Sequence, residues 1–361
     1  MARFRVPGEG YSFFRAHLAR CQKIYLHNIV NIVASRYGRY QVNRIHVLHE
    51  NAAWLPPLAQ AFDQRRLLWT EWFLDAGTFD LAAPPPPGVF YNRMSASSHT
   101  RDHRFSAELT AAILAWMTRW DRRVVNGPGA LDLEISKARQ YAALERHGVA
   151  TPRTVLVAGR EHVTAAAQRH FVDQPVILKP NRGGKGLGVQ LFSSTDSLAA
   201  HVAGDDYEAP VDGLHLLQEY VRAPRPFITR AEFVGGRFLY AVEVNTSDGF
   251  ELCPADACAI GDANCPISEA PQREKFTIIN GIPDALRIRL ERFLAASGVE
   301  VAGIEFITHI EGRTLVYDVN TNTNYNPDAE ARAGRTGTAR SGPGAIAEFL
   351  GGELNRLRAA A

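Results

Sequence analysis

A glycine-rich, basic loop directly after an apolar run is the segment of this sequence with the clearest chemical meaning. The loop contains the glycines Gly183, Gly184, Gly186 and Gly188 and the basic residues Lys179, Arg182 and Lys185. Glycine lets backbone N–H groups point at a phosphate, and the basic side chains supply positive charge around it. The loop predicts a phosphate site, but a solvated turn can have the same composition. The loop alone therefore does not distinguish a phosphate site from a surface turn.

Two better-known phosphate loops do not fit this segment. A P-loop requires Ser or Thr after its lysine and then a helix, whereas Gly186 follows Lys185 and a β-rich run comes next. The dinucleotide-binding fingerprint requires a third glycine where this sequence has Val189, and it also opens a helix. A strand, a glycine-rich loop and a second strand instead predict a flap over a nucleotide.

Two carboxylates meet on a hairpin predicted near the C-terminal end. The two alternating runs are 304–310 and 313–320, joined by a Glu-Gly turn. If Ile310 pairs with Arg313, Glu305 lies directly opposite Asp318. The alternation of side chains places Asn320 on the same face and puts Ile304, Phe306, Tyr317 and Val319 on the apolar face.

The opposed acids Glu305 and Asp318 favour a metal ion between them. Two carboxylates directly across an antiparallel pair repel each other unless something positive lies near both. Two carboxylates and the amide oxygen of Asn320 suit Mg²⁺, which completes its octahedron with phosphate oxygens and water. The alternative is two exposed acids on an edge hairpin, which the separate phosphate loop makes less attractive.

The elements that must position these groups follow from hydrophobic periodicity. Alternating strand and helix signals before the loop predict an α/β unit. Its predicted strands are 45–49, 67–73, 89–92 and 124–125, and its predicted helices are 55–65 and 105–120.

The order of these motifs resembles the ATP-grasp family, in the branch of ribosomal-protein glutamate ligases and glutathione-synthetase-like carboxylate–amine ligases. The similarity extends from about residue 45 to about residue 330. It rests on the flap and the hairpin and on the runs 126–154, 216–221 and 227–236. The resemblance implies an α/β (α+β) ATP-grasp fold with an N-terminal α/β pre-ATP-grasp domain.

The resemblance also implies roles for individual residues. The implied ATP-binding residues are Lys137, Lys179, Gly183, Gly184, Gly186, Gly188, Gln218, Glu219, Tyr220 and Val221. The implied metal ligands are Glu305, Asp318 and Asn320, and the implied catalytic residues are Arg230, at the acyl phosphate, with Lys185 and Arg182 of the flap. Mg²⁺ is the implied ion, and Mn²⁺ is left open.

The acceptor side departs from the family pattern. Asp318 stands where the family usually has Glu, and an Asn-rich run, 320–326, follows. In the first domain a polar loop follows a strand, where ligands of α/β domains commonly bind. Arginines there could clamp a carboxylate, although an ordinary solvated loop is an equal alternative. The candidate substrate residues are Arg93, Arg101, Asn324 and Asn326.

The implied domain order is an N-terminal extension, a pre-ATP-grasp domain, a central subdomain with the flap and a C-terminal subdomain with the metal site. Their ranges are 1–44, 45–129, 130–215 and 216–361. The extension is expected to cover the core, with a substrate or dimer surface as the alternative, and a homodimer is left open.

Composition excludes several classes of protein. The 361 residues carry a formal net charge of +2 that is spread along the chain, so we expect no nucleic-acid or membrane partner. No apolar run reaches the length of a membrane span, and charges interrupt the first twenty residues, so we expect no signal peptide and a cytoplasmic location. Cys253, Cys258 and Cys265 have spacings unlike a common zinc knuckle and are expected to be reduced thiols.

These observations together predict an ATP- and Mg²⁺-dependent carboxylate–amine ligase. Its substrates would be small-molecule or peptide carboxylates and amines, joined through an acyl phosphate with release of ADP and phosphate. Two alternatives stay open: a phosphotransferase on the same fold, and a scaffold that binds ATP without turning it over.

Overall fold

Four short parallel strands form the first layer of the chain. The computed structural model describes residues 43–184, 186–247 and 275–360. The strands are β1 (Arg44–His49), β2 (Trp69–Phe73), β3 (Gly88–Asn92) and β4 (Arg123–Val125), in the spatial order β2-β1-β3-β4. Neighbouring strands pair in parallel, and all residues of β3 are buried, as expected for a strand covered on both faces.

Helices cover both faces of this parallel sheet. Helix α1 (Pro56–Gln64) packs Phe62 against Ile45 of β1, and α2 (Ser106–Arg119) packs Ile113 against the core on the other face. The alternating strands and amphipathic helices of this region therefore form the predicted α/β unit. Two short helices follow, α3 (Pro128–Glu134) and α4 (Lys137–Arg146).

An antiparallel sheet of four strands carries the glycine-rich loop. It contains β5 (Thr154–Ala158), β6 (Val176–Pro180), β7 (Gln190–Phe192) and β8 (Leu214–Glu219), in the order β5-β8-β6-β7. Helices α5 (Val163–His170) and α6 (Thr195–Ala203) cover one face. Because β6 and β7 pair antiparallel on either side of the loop, the predicted arrangement of strand, loop and strand is confirmed.

A five-stranded antiparallel sheet carries the acidic hairpin. Its strands are β9 (Phe227–Val234), β10 (Arg237–Asn245), β11 (Phe276–Ile279), β12 (Val301–Thr308) and β13 (Thr314–Asn320), in the order β11-β10-β9-β12-β13. Helix α7 (Asp284–Ser297) packs on this sheet through Leu290 and Phe293. The chain ends in α8 (Pro327–Arg332) and α9 (Gly342–Ala360), and α9 packs Leu350 against the first sheet.

The register of the hairpin corrects one prediction and confirms another. Pairing ends at Thr308 and Thr314, so the predicted pair of Ile310 with Arg313 is wrong. Glu305 nevertheless lies opposite Asp318, because the register shifts by one residue in a β-bulge after Glu305. Tyr317 was predicted on the apolar face of the hairpin, and this prediction is wrong. Because of the bulge, Tyr317 lines the same cavity as Glu305 and Asp318.

Several sequence-based expectations lie outside the described residues. These are residues 1–42 of the N-terminal extension, Lys185 of the flap, and Cys253, Cys258 and Cys265. The domain boundaries stay predictions. Within the described ranges, no helix has both the length and the apolar character needed to cross a bilayer.

Candidate active site

One cavity of about 580 Å³ lies between the antiparallel four-stranded sheet, which carries the flap, and the five-stranded sheet. Its volume is in the range of small-molecule sites. The predicted residues that line it are Lys137, Lys179, Gly183, Gly184, Gly186, Gln218, Glu219, Tyr220, Val221, Arg230, Glu305, Asp318, Asn320 and Asn324. The predicted residues that do not line it are Gly188, Arg182, Arg93, Arg101 and Asn326.

The two acids on the hairpin form the most strongly charged part of the cavity wall. Burial and the neighbouring carboxylate of Asp318 raise the pKa of Glu305, while the Arg230 guanidinium and a hydrogen bond from Tyr317 act in the opposite direction. Lys137, the first residue of α4, forms an ion pair with Asp318. The acids are thus balanced by cations supplied from two other elements.

The acidic side chains fit a divalent cation of the Mg²⁺ type. Glu305 and Asp318 supply carboxylate oxygens at one point of the sheet, and Asn320 supplies an amide oxygen on the same strand. Hard oxygen ligands and a need for positive charge are the properties that Mg²⁺ satisfies. Among the described residues, no cluster of three or more His, Cys, Asp or Glu has metal-site geometry, so most of the coordination would come from phosphate and water.

Lys179 on β6 is held by neutral partners. Its Nζ donates to the Tyr141 hydroxyl at 2.7 Å and to Gln218 Oε1 at 2.9 Å. Burial, and secondarily the charge of Lys137, lowers the pKa of Lys179 to about 7. The Tyr141 hydroxyl itself donates to the backbone oxygen of Tyr317 at 2.9 Å. An incoming phosphate would therefore meet a lysine that is already fixed in place.

The base of the flap is tied to the start of α4. Asn181 accepts the N–H of Ala138 on its Oδ1 at 2.9 Å, and its backbone oxygen accepts the N–H of Lys137 at 3.1 Å. Further along the loop, Gly186 and Gly188 have φ angles of +77° and +70°, which favour glycine. The backbone conformation therefore calls for glycine at these two positions, whereas Gly183 and Gly184 lie outside the left-handed region.

Arg182 is placed differently from the prediction. Its side chain is buried and its Nη1 donates to Glu108 of α2 at 2.8 Å, away from the cavity lining. The sequence could not show this, because Glu108 lies in a distant helix that the fold brings next to the flap. The contact with Glu108 links the flap to α2, and the Nε and Nη2 of Arg182 are buried without a hydrogen-bond partner among the described residues.

The end of β8 and the residues that follow it form another side of the cavity. Gln218 is buried, and its Nε2 donates to Thr154 Oγ1 at 2.8 Å. Glu219 Oε1 accepts the N–H of Arg153 at 2.9 Å, so its carboxylate is occupied by backbone. The side chain of Tyr220 is 40% exposed, whereas Val221 is buried.

Arg230 is buried in the cavity wall between two acids. Its Nε lies 2.8 Å from Glu232 Oε1, and its Nη1 lies 4.0 Å from Glu305 Oε1. Burial raises the pKa of Glu232 to about 7, and Arg230 opposes this. Gly303 leaves room for the guanidinium, since a Cβ there would lie 2.5 Å from Arg230 Nε.

Comparisons with known proteins agree with this architecture. No protein-family model matches the chain. A D-alanine–D-alanine ligase of Nitratidesulfovibrio vulgaris is 29% identical over 140 residues, which are 36% of this chain and 45% of that ligase. The match thus spans less than half of that curated relative.

Two solved structures are similar over most of the chain. A RimK domain protein ATP-grasp from Sphaerobacter thermophilus aligns with a TM-score of 0.57 and 18% identity, over 85% of this chain and 99% of that one. The ATP-grasp ligase PsnB, complexed with minimal precursor, Mg and ADP, aligns with a TM-score of 0.57 and 15% identity, over 88% of this chain and 100% of that one.

The chain has the ATP-grasp fold. The fold class expected from the flap and the acidic hairpin is therefore confirmed. At 18% and 15% identity these two structures show the fold and not the roles of individual residues.

The predicted substrate arginines of the ATP-grasp chain are already engaged by the protein. Arg101 donates from Nε and Nη2 to the two oxygens of buried Glu50, at 3.1 Å and 2.6 Å. His103 also contacts Glu50, at 3.0 Å. This bidentate pair leaves Arg101 unsuited to clamp a substrate carboxylate. Arg93 contacts the Asn-rich run, as described below, and does not line the cavity.

The predicted substrate asparagines separate into two groups. Asn326 caps α8, since its Oδ1 accepts the N–H of Ala329 at 2.8 Å. Asn324 lines the cavity, and so does Asn322, which was not among the predicted site residues. The Asn-Thr alternation of this run could have drawn attention to Asn322, but only the fold shows which amides face the cavity.

Two residues of α4 also escaped the sequence-based prediction. Gln140 pairs with both backbone groups of Val319, accepting its N–H at 3.0 Å and donating to its oxygen at 2.8 Å. Gln140 and Tyr141 lie one helical turn after Lys137, so helical periodicity was the available signal. Both residues hold β13, which carries Asp318.

Proposed function

We propose that this protein is an ATP- and Mg²⁺-dependent carboxylate–amine ligase that acts through an acyl phosphate. The observation that carries the proposal is the convergence on one cavity of the opposed acids Glu305 and Asp318, two lysines, a glycine-rich flap and the buried Arg230. Phosphate-binding groups and a carboxylate pair on separate sheets match the needs of phosphoryl transfer, which depends on positioning and charge stabilisation.

The comparisons support this proposal at the level of reaction type. A matching curated relative is a D-alanine–D-alanine ligase, and PsnB is an ATP-grasp ligase whose structure was solved with minimal precursor, Mg and ADP. A small amino acid and a peptide are therefore both reasonable substrates. The structure favours neither of them.

The nucleotide would lie between the flap and the hairpin. Lys137, Lys179 and the N–H groups of the flap would hold the phosphates, and the backbone of 218–221 would contact the adenine. Glu305, Asp318 and Asn320 would hold Mg²⁺, which when bound neutralises charge on the phosphate oxygens. Lys137 would then exchange its ion pair with Asp318 for a phosphate oxygen.

The proposed chemistry has two steps. An oxygen of the substrate carboxylate attacks the γ-phosphorus of ATP, the bond to the β–γ bridging oxygen breaks, and ADP leaves. The amine then attacks the acyl carbon, the C–O bond to phosphate breaks, and the amine loses a proton as the amide forms. Arg230 would stabilise negative charge on the acyl phosphate. Neither step requires a nucleophile from the protein.

A paired-substrate assay tests the proposal. ADP release is measured for every pair drawn from a set of amino acids and short peptides, followed by mass spectrometry of the product. The proposal expects ADP release that requires both a carboxylate and an amine, with an amide as product. A phosphorylated product formed without any amine would instead indicate a phosphotransferase, and nucleotide binding without turnover would indicate a scaffold.

A further inference from the structure

Arg93 is a buried guanidinium that is surrounded by neutral oxygen atoms. Arg93 is 7% exposed and donates to Asn322 Oδ1 at 3.1 Å, to Asn324 Oδ1 at 2.8 Å and to the backbone oxygen of Trp54 at 3.0 Å. It forms no ion pair with any carboxylate in the part of the chain that the structure describes. A buried charge is normally paired, so this positive charge is not compensated within the described protein.

The contact with Arg93 fixes the orientation of the Asn322 amide. A guanidinium can only donate, so the oxygen of the amide must face Arg93 and the NH₂ group must face the other way. Asn322 lines the cavity and is 3% exposed, and its Nδ2 has no hydrogen-bond partner among the described residues. A buried donor without a partner is rare in proteins and is explained when a ligand accepts from it.

The neighbouring groups indicate which ligand would accept. Asn324 also lines the cavity and also has its Oδ1 engaged by Arg93, and its backbone oxygen accepts from Arg230 at 3.2 Å. The unpaired amide therefore lies in the loop that contacts Arg230, the group expected at the acyl phosphate. Hydrogen bonds in series polarise each other, so the charge of Arg93 makes the outer N–H groups better donors to an anion.

We propose that the Asn322 side-chain N–H binds an oxygen of the substrate carboxylate, and that Arg93 is a positioning residue that fixes and polarises this amide. The inference rests on the proposed ligase function and names the protein group that recognises the carboxylate. It replaces the direct clamp that the sequence suggested for Arg93. The bound anion compensates the charge of Arg93 through the amides, without contacting Arg93.

Side-chain amide NMR on the full chain tests this inference directly. The protein is labelled with ¹⁵N-asparagine, and the Asn322 NH₂ pair is assigned by its loss in Asn322→Asp. The probes are sodium propionate, D-alanine and L-glutamate, with propionamide and inorganic phosphate as comparison ligands. Each titration is made with and without Mg²⁺ and a non-hydrolysable ATP analogue. We expect the Asn322 pair to shift saturably with at least one carboxylate and with neither comparison ligand.

The matched variant keeps the shape of the side chain and the acceptor for Arg93. Asn322→Asp replaces the N–H donor by an oxygen, and we expect it to weaken binding of the responding carboxylate by at least about 10-fold, equivalent to ~1.4 kcal/mol. The control Asn280→Asp makes the same change at an exposed residue, and its affinity is expected to stay within about twofold of the wild type.

Three outcomes would overturn the inference. In the first, none of the three carboxylates moves the Asn322 pair. In the second, only phosphate moves it. In the third, Asn322→Asp binds the carboxylate as tightly as the wild type. Failure of the ligase proposal would give a different result. A carboxylate that shifts the Asn322 pair but supports no ADP release with any amine would uphold the binding site and contradict the ligase activity.

Discussion

The opposed acids of the hairpin lead to a sharp prediction for Asp318→Asn. The change removes one negative charge while nearly preserving the shape of the side chain. If Asp318 holds Mg²⁺ against the phosphates, loss of this preorganised charge should lower kcat by about 10²- to 10³-fold, equivalent to ~2.7–4 kcal/mol. The concentration of Mg²⁺ needed for half-maximal activity should also rise.

The structure indicates that the fold will survive this substitution. The Asp318 side chain is 23% exposed, and asparagine can still accept a hydrogen bond from Lys137. The Lys137 and Asp318 side chains are only 10% and 23% exposed, so breaking the pair could cost as much as ~3–5 kcal/mol, and the simultaneous loss of the repulsion between Asp318 and Glu305 offsets part of this cost. Measuring kcat well below the Tm of the variant separates a functional role of Asp318 from a loss of folded protein.

The assay is coupled ADP release at saturating substrates, with a Mg²⁺ titration and a thermal melt on each variant. Asp132→Asn is the matched control, because it makes the same change in the Arg139–Asp132 ion pair, whose side chains are 61% and 60% exposed. Its kcat should stay within about twofold of the wild type. Turnover of Asp318→Asn within about threefold of the wild type, in a folded protein, would refute the metal role of the hairpin.

Three further predictions concern the flap, the buried Lys179 and the ion pair of Arg101 with Glu50. Gly188→Val should raise the KM for ATP and lower kcat, because φ is +70° there, whereas Gly236→Val, with φ of +69° at a distant turn, should lower only the Tm. Because the pKa of Lys179 is lowered to about 7, ATP binding near neutral pH should be accompanied by uptake of a proton, and ATP affinity should fall as pH rises. Calorimetry in buffers of different ionisation enthalpy should detect this uptake in the wild type and not in Lys179→Arg. Arg101→Met should leave the buried Glu50 carboxylate with only His103 as a partner and lower the free energy of unfolding by ~3–5 kcal/mol. The variant should therefore have a lower Tm, and an unchanged Tm would contradict this role of Arg101.

The linkage at Lys179 also fixes the sign of its effect on stability. The folded protein binds fewer protons on Lys179 than the unfolded chain between about pH 7 and the ordinary lysine pKa of 10.5. The free energy of unfolding therefore contains a contribution from Lys179 that rises with pH across this window. Below about pH 7, Lys179 is charged in the folded protein as well, and the free-energy cost of burying this charge is then at its maximum.

The sequence predicted the strands and the flap well because their signals are local. Alternation, tight turns and glycines in series depend on neighbouring residues, and the segments before 130 formed at nearly the predicted bounds. The pairing of Glu305 with Asp318 was correct although the assumed turn was wrong. The longer turn and the β-bulge compensate each other by one residue, and no local signal in the sequence indicates either.

The acceptor side was harder to predict because its contacts are long-range. Arg101 meets Glu50 when β1 and β3 pair in the first sheet, and Arg93 meets Asn322 only after that sheet and the C-terminal hairpin have come together. An isolated arginine in a loop has the same appearance whether a substrate or a buried protein group accepts from it. Composition and spacing cannot distinguish these two cases, whereas burial and hydrogen-bond partners do.

The most direct test of the proposed mechanism follows oxygen from the substrate into the product phosphate. The responding carboxylate from the paired-substrate assay is labelled with ¹⁸O in both oxygens, and the released phosphate is analysed by mass spectrometry. Formation of an acyl phosphate predicts one ¹⁸O atom in each phosphate released, since the attacking oxygen leaves with the phosphorus. Amide formation with unlabelled phosphate would contradict the acyl-phosphate mechanism.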